Sequence, residues 1–273
     1  MITPTLVHLE SEPWQKQMAR AIADPAELLR LLDIDPATLP FEVDDGAGFP
    51  MRVPRYFAGL MRPGDPRDPL LLQVLPTRQE RVTTPGFVSD PVGDLAASHD
   101  NGVLRKYTGR ALAITTGACA VHCRYCFRRH FPYSDNRAPR DWQQTLARIS
   151  ELPDVDELIL SGGDPLSLSD ARLADILDAA AQLPQLKRLR IHTRQPVVLP
   201  SRLTARLGEL LGSCRLQVVL VLHSNHPHEL TPTLADALST LRGRAPDLWL
   251  LNQAVLLKGV NDDADTLVGL SRR

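Results

Sequence analysis

From about residue 110 onward, two hydrophobic periods alternate along this chain. Short apolar runs at 111–116, 157–160, 189–192, 216–222 and 248–257 read as strands. Between them, apolar residues recur at steps of three and four, the mark of helices with one buried face. Trp142, Leu146 and Ile149 form one such stripe, and Leu173, Ile176, Leu177 and Ala180 the next. Leu203, Leu207, Leu210 and Leu211 follow, then Leu234, Ala237, Leu238 and Leu241 behind a Thr231-Pro232 helix start. Asn261 is expected to cap a last helix. The unbroken apolar run at 216–222 suits a strand covered on both faces. Strand–helix alternation at this spacing predicts a parallel sheet with right-handed crossovers, either a barrel or a doubly wound sheet.

The first hundred residues lack this alternation. Trp14, Met18 and Ile22 sit at helical spacing, and Asp24-Pro25 reads as an N-cap followed by proline in the first helical position. Pro63, Pro66, Pro69, Pro76, Pro85 and Pro91 predict an extended segment lying along the surface. The chain therefore divides into a helical and proline-rich arm (1–100) and an α/β unit (101–273).

Composition narrows the function. A net charge of −1 over 273 residues gives no bulk attraction to nucleic acid or to an anionic membrane. No apolar run reaches the ~18 residues of a membrane span, and the N-terminus lacks the pattern of a signal peptide. A cytoplasmic protein is expected. Lysine is scarce, limited to Lys16, Lys106, Lys187 and Lys258.

Three of the four cysteines, Cys119, Cys123 and Cys126, fall within eight residues just after the first strand, spaced C-x3-C-x2-C. Three thiolates on one loop can hold three corners of a cubane iron–sulfur cluster and leave the fourth iron open to a small molecule. A zinc site would need a fourth ligand, with only His122 nearby and adjacent to Cys123. A disulfide with a spare thiol would need an oxidising compartment. Cys214 reads as a small buried hydrophobe. The spacing resembles that of the radical S-adenosylmethionine (SAM) enzymes. The resemblance implies a 4Fe-4S cluster whose open iron binds SAM, and reductive cleavage of SAM to a 5′-deoxyadenosyl radical. It also implies a partial (β/α) barrel resembling a TIM barrel.

Gly162-Gly163-Asp164 directly follows the second strand. By itself it is an ordinary turn with a capping aspartate. Beside the cysteine loop it resembles the glycine-rich element that receives the methionine end of SAM, with Asp164 as a candidate acceptor for the amino group. Longer matches narrow the branch. Residues 126–131 (Cys-Phe-Arg-Arg-His-Phe), 196–200 (Pro-Val-Val-Leu-Pro), 223–227 (His-Ser-Asn-His-Pro) and 251–262 are similar to lysine 2,3-aminomutases. The form of residues 123–133 is similar to the bacterial lysine aminomutases that serve elongation factor P. The resemblance spans about residues 80 to 273.

This likeness implies pyridoxal 5′-phosphate (PLP) as a further cofactor, L-lysine as substrate and β-lysine as product. It also implies an electron donor, a separate ligase acting on elongation factor P, and room for a homo-oligomer. By position Arg128 matches the clamp for the substrate carboxylate, a task suited to a bidentate fork. Lys106, Tyr107 and Arg110 match the element at the PLP phosphate, where lysine replaces an arginine and loses its fork. His223 and Gln253 match residues on the SAM side. The family's PLP-anchoring lysine lies in a later glycine-rich segment, and none of the four lysines here has a matching context. Five of six barrel units are expected, with an open edge after the fifth strand and a shortened reading frame as the favoured cause. Two other readings compete: an inactive remnant that still binds the cluster, and a radical SAM enzyme that needs no PLP.

Overall fold

The computed structural model describes residues 12–44, 49–99, 102–136, 138 and 142–273. Its centre is a seven-stranded sheet in simple sequential order. Strands β1 (Ser98–His99) and β2 (Val103–Tyr107) pair antiparallel and lead into β3 (Arg110–Thr116). From β3 onward every pairing is parallel, through β4 (Glu157–Gly162), β5 (Arg188–Thr193), β6 (Gln217–His223) and β7 (Trp249–Gln253). The five expected strands are the five parallel ones. The sheet does not close; β1 and β7 form its edges. The antiparallel β1–β2 extension was not foreseen, because Val103–Tyr107 is too short and polar to stand out as a strand.

Helices cover one face of the sheet. After the short segments α1 (Trp14–Ala19), α2 (Pro25–Leu31), α3 (Arg55–Ala58) and α4 (Tyr133–Asn136) come α5 (Trp142–Ser150) and α6 (Asp170–Ala181). The one-turn α7 (Gln195–Val198) precedes α8 (Ala205–Gly212), α9 (Pro232–Arg244) and α10 (Ala264–Ser271). Ala111, Ala113, Leu158, Leu160, Leu189, Ile191, Val218 and Leu220 meet Ile149, Leu173, Ile176, Leu207 and Leu241 in one core. The strand period of two then sends the alternate residues to the other, open face. Register sets these in rows: Arg110, Glu157, Arg188 and Gln217; then Leu112, Ile159, Arg190, Val219 and Trp249. Nearer the strand C-termini lie Ser161, His192, His223 and Gln253. Arg110, Glu157, Arg188, Arg190, His192, His223 and Gln253 make this face partly polar and charged.

Asp24 caps α2 as expected, accepting from the Ala26 amide at 2.9 Å. Thr231 caps α9. The last helix is a correction: Asp263 caps α10, accepting from Thr266 N at 2.8 Å. Asn261 is instead buried, bonding the amide of Leu257 and the carbonyls of Asn225 and Val255. The proline-rich segment also differs from expectation. Leu70, Leu71, Val74 and Leu75 are fully buried around a 3-10 turn whose first amides are held by Asp68. They form a second core with Trp14, Leu28, Phe57, Ala120, Val121 and Val198, so the arm packs directly beneath the cysteine loop.

Arg202 fastens this junction. Fully buried, it donates to Leu166 O (2.6 Å), pairs with Asp170 (2.8 Å) and lies 4.6 Å from the Trp14 ring centroid. Arg202→Met is expected to cost about 3 kcal/mol, because Asp170 and the Leu166 carbonyl lose their donor. Chemical denaturation measures this; a loss under ~1 kcal/mol would mean solvent already screens the pair.

Candidate functional site

The cysteine loop leaves the C-terminal end of β3 and is clamped from both sides. On the arm side, Arg124 donates to Glu80 (2.6 Å) and Leu72 O (2.8 Å), and Arg129 reaches the other Glu80 oxygen at 2.9 Å. The amides of His122 and Arg124 donate to Arg52 O and Gln73 O. On the barrel side, Gly163 N donates to Thr116 O (2.6 Å) and Asp164 N to Ala118 O (2.8 Å). Gly162 has a φ of +123°, and a Cβ on Gly163 would stand 2.4 Å from Ala118 O. Glycine is therefore required here by the approach of two backbones.

Cys119, Cys123 and Cys126 are all free and partly buried. Burial raises the Cys119 thiol far above its ordinary range, with Asp164 and the other two thiols adding to the rise. Cys126 is raised by burial and then by Cys123. Burial therefore holds Cys119 and Cys126 as neutral thiols unless a cation sits beside them. Among the described residues no three His, Cys, Asp or Glu side chains converge as they would around a single ion. A cubane takes one thiolate at each of three separate irons. The donor set fits the cluster. His122 is occupied elsewhere, its Nδ1 lying 2.7 Å from Pro50 O. Cys214 packs at the margin of the sheet core, only partly buried.

Asp164 has a different role from the expected amino-group acceptor. Its oxygens already accept from Leu166 N, Thr193 Oγ1, Arg194 N and Gln195 N at 2.7–3.0 Å. Burial lifts the carboxyl above its ordinary range despite these bonds. The residue ties the turn after β4 to the end of β5, and its carboxylate has no free lone pair aimed outward.

Arg128 sits beside the open face, donating to Asp94 (2.7 Å) and Ser161 Oγ (2.8 Å). Lys106 pairs with the same Asp94 and donates to Val92 O at 2.6 Å. Burial raises the Asp94 carboxyl, but Lys106 and Arg128 outweigh it and hold it below its ordinary value. One loop carboxylate thus brings together two cations that sequence matching assigned to separate jobs. Tyr107 and Arg110 lie at the β2–β3 turn, at the opposite end of β3 from the cysteines; Arg110 and Tyr107 stack at 5.9 Å. Arg110, Arg188 and Arg190 all approach the single buried carboxylate of Glu157 (3.8, 3.7 and 2.6 Å), an excess of positive charge.

His223 and Gln253 end neighbouring strands and face each other in register. Gln253 meets His192 Nδ1 at 2.9 Å, and His223 Nε2 lies 3.3 Å from Tyr125 OH. Burial, then the Arg194 charge, lowers His223 from 6.5 to about 3; burial and His228 lower His226 to about 4. Both rings are neutral near neutral pH. Their folded values lie below the unfolded one, so the unfolded chain binds more protons in between. That stability is fully present above 6.5 and declines as pH falls through the folded values. Urea midpoints are expected to drop from about pH 7 to about pH 4, and to drop less in His223→Gln. An equal slope in the variant would place the acid sensitivity in other groups.

Sequence reasoning missed Arg194, Gln73 and Glu229, and read Asn225 only as part of the 223–227 match. Arg194 is 5% exposed and donates to Cys123 Sγ at 2.9 Å and Gln73 Oε1 at 2.8 Å. The only local signal was an arginine directly after a strand.

A family model described as the Radical SAM superfamily matches residues 113–212. A protein of Escherichia coli (strain K12) named L-lysine 2,3-aminomutase is 46% identical over 262 residues, covering 95% of this chain and 76% of the relative. Proteins of the same name from Haemophilus influenzae and Buchnera aphidicola are 43% and 38% identical, covering 96% and 100% of this chain and 77% and 80% of theirs.

Proposed function

The chain belongs to the L-lysine 2,3-aminomutase family of radical SAM enzymes, and on that footing we propose that it converts L-lysine to β-lysine with PLP as a further cofactor. Membership makes it a radical SAM isomerase whose family chemistry runs on a 4Fe-4S cluster and SAM. Supporting the finer reading is one observation above the others: Arg128, anchored by Asp94 and Ser161, stands on the same face as His223 and Gln253, next to the thiol loop. When bound, the cluster, SAM and PLP supply one-electron cleavage, hydrogen abstraction and delocalisation of the unpaired electron during nitrogen migration.

The residues provide the setting. Cys119, Cys123 and Cys126 hold the cluster. Gly162 and Gly163 let backbone approach the methionine end of SAM, with Asp164 fixing the turn rather than taking the amino group. His223, neutral at working pH, and Gln253 line the SAM side. Arg128 receives the substrate carboxylate on its guanidinium fork. Lys106, Tyr107 and Arg110 would hold the PLP phosphate, and the surplus of arginine around Glu157 supports an anion there. Lys106 is engaged by Asp94, and Lys187 is exposed beside Asp156. Residues 1–100 act as an arm clamping the loop, and 101–273 as the catalytic unit.

Among the described residues no helix is long and apolar enough to cross a membrane. A cytoplasmic setting, an electron donor and delivery of β-lysine through a ligase to elongation factor P complete the proposal. The wording of residues 123–133 supports that last step.

The test is anaerobic reconstitution with iron, sulfide, PLP, reductant, SAM and L-lysine, following 5′-deoxyadenosine and β-lysine together. Both products are expected. 5′-Deoxyadenosine alone would instead support a radical SAM enzyme that works without PLP. Neither product from a fully loaded chain would support a cluster-binding remnant.

A further inference from the structure

Arg194 follows β5 immediately, and its guanidinium reaches across to the cysteine loop. Nη1 donates to Cys123 Sγ at 2.9 Å and also contacts the Tyr125 hydroxyl. Nη2 donates to Gln73 Oε1 at 2.8 Å and lies 3.5 Å from Glu229. The surroundings fix this pose. Gln73 Nε2 donates to Glu229 at 2.8 Å, and Asn225 Nδ2 donates to both Gln73 Oε1 (2.9 Å) and Tyr125 OH (2.6 Å). Gln73, Asn225 and Glu229 are fully buried. Arg194 Nε and one Glu229 oxygen have no hydrogen-bond partner, so the group is retained at a cost in buried polarity.

A cation so costly to bury, with its donor aimed at one sulfur of a three-thiol loop, has a purpose beyond packing. We propose that Arg194, held in place by Gln73 and Glu229, is a positioning residue that tunes the reduction potential of the cluster through the Cys123 sulfur. The proposal rests on the cluster reading above. Adding one electron to a cluster makes its thiolates more negative, and a hydrogen bond and a buried positive charge at a sulfur stabilise that reduced form. Arg194 therefore raises the potential. Glu229, a buried anion behind the guanidinium, partly cancels the cation and opposes the rise. Of the three cysteines only Cys123 receives this donor among the described contacts; Cys126 faces the backbone amide of Arg128 and the charges of Arg128 and Arg129 instead.

The experiment is an EPR-monitored redox titration of the anaerobically reconstituted chain without SAM or substrate, with iron and sulfide determined for every sample. Arg194→Gln is expected to shift the midpoint negative by about tenfold in the reduction equilibrium, which is 59 mV for one electron. Glu229→Gln is expected to shift it positive, and Arg194→Lys to fall between Arg194→Gln and the parent. Opposite signs from two adjacent buried residues are not what general loosening of the fold produces. Fully loaded Arg194→Gln with the parent potential would overturn the proposal. If that variant fails to fold or load, Glu229→Gln decides alone, and an unchanged or negative shift there overturns it as well. A parent chain that takes up no cluster would instead sink the cluster reading, so the two failures are distinct.

Discussion

Gly163→Ala is expected to lose about 3 kcal/mol of stability and most of its capacity to take up iron and sulfide. A Cβ there would lie 2.4 Å from Ala118 O and 2.7 Å from the carbonyl carbon of Gly117. Both are backbone atoms of the loop that leads to Cys119, held by hydrogen bonds from Gly163 N and Asp164 N. No side-chain rotation can relieve the clash; the loop itself must move, and overpacking of this kind costs about 1–3 kcal/mol before lost hydrogen bonds are added. Moving the loop displaces Cys119 relative to Cys123 and Cys126, which the arm holds independently through Glu80 and Gln73. The control is Gly243→Ala in α9, where a Cβ meets nothing within 4 Å. It is expected to be neutral or to gain up to about 1 kcal/mol, since alanine loses less backbone freedom in a helix. Denaturant midpoints and iron per chain measure both. A Gly163→Ala chain with parental stability and full iron would show that the glycine is only a turn residue.

Replacing Cys126 by serine is expected to abolish cluster uptake and, with it, 5′-deoxyadenosine formation. The three thiols lie on one short loop, and on the proposed reading each would ligate its own iron in a cubane, so loss of one would remove a corner for which the loop has no substitute. His122 cannot serve, because its ring is bonded to Pro50 O and stacked 5.0 Å from Phe49. Fold stability is expected to change little, because Cys126 belongs to neither hydrophobic core. Cys214→Ser tests the opposite case and should keep the cluster. Visible absorption, iron content and 5′-deoxyadenosine yield from the two variants decide the ligand set. A Cys126→Ser chain that kept both cluster and product would remove that residue from the set.

What the sequence revealed, it revealed through short-range signals. Five apolar runs separated by amphipathic helices specify parallel strands, because burial on a sheet face and on a helix face leave different periods. The placement of Cys119, Cys123 and Cys126 on one loop and the tight turn at Gly162-Gly163 could be read because both depend on spacing within a few residues. Asp24 and Thr231 were recognisable as caps for the same reason. Where local signals compete, the reading went astray. Asn261 and Asp263 are both good N-caps, and only the packing of Asn261 against Asn225 decides between them.

The relations that the sequence did not disclose join distant parts of the chain. Leu70, Leu71, Val74 and Leu75 look like part of a proline-rich surface segment until the arm folds under the cysteine loop and buries them. Asp164 looks like a ligand until the ends of β4 and β5 meet and their backbone amides occupy it. Arg194 lies 71 residues from Cys123 and 121 from Gln73, so no spacing rule connects them. Strand register and arm packing bring the three together. The sequence by itself determined the strand–helix order and the thiol and glycine patterns on which the proposed chemistry rests, because these are local patterns. Only the tertiary structure decided what surrounds that chemistry, because buried charge and hydrogen bonding depend on which distant segments share the same low-dielectric space.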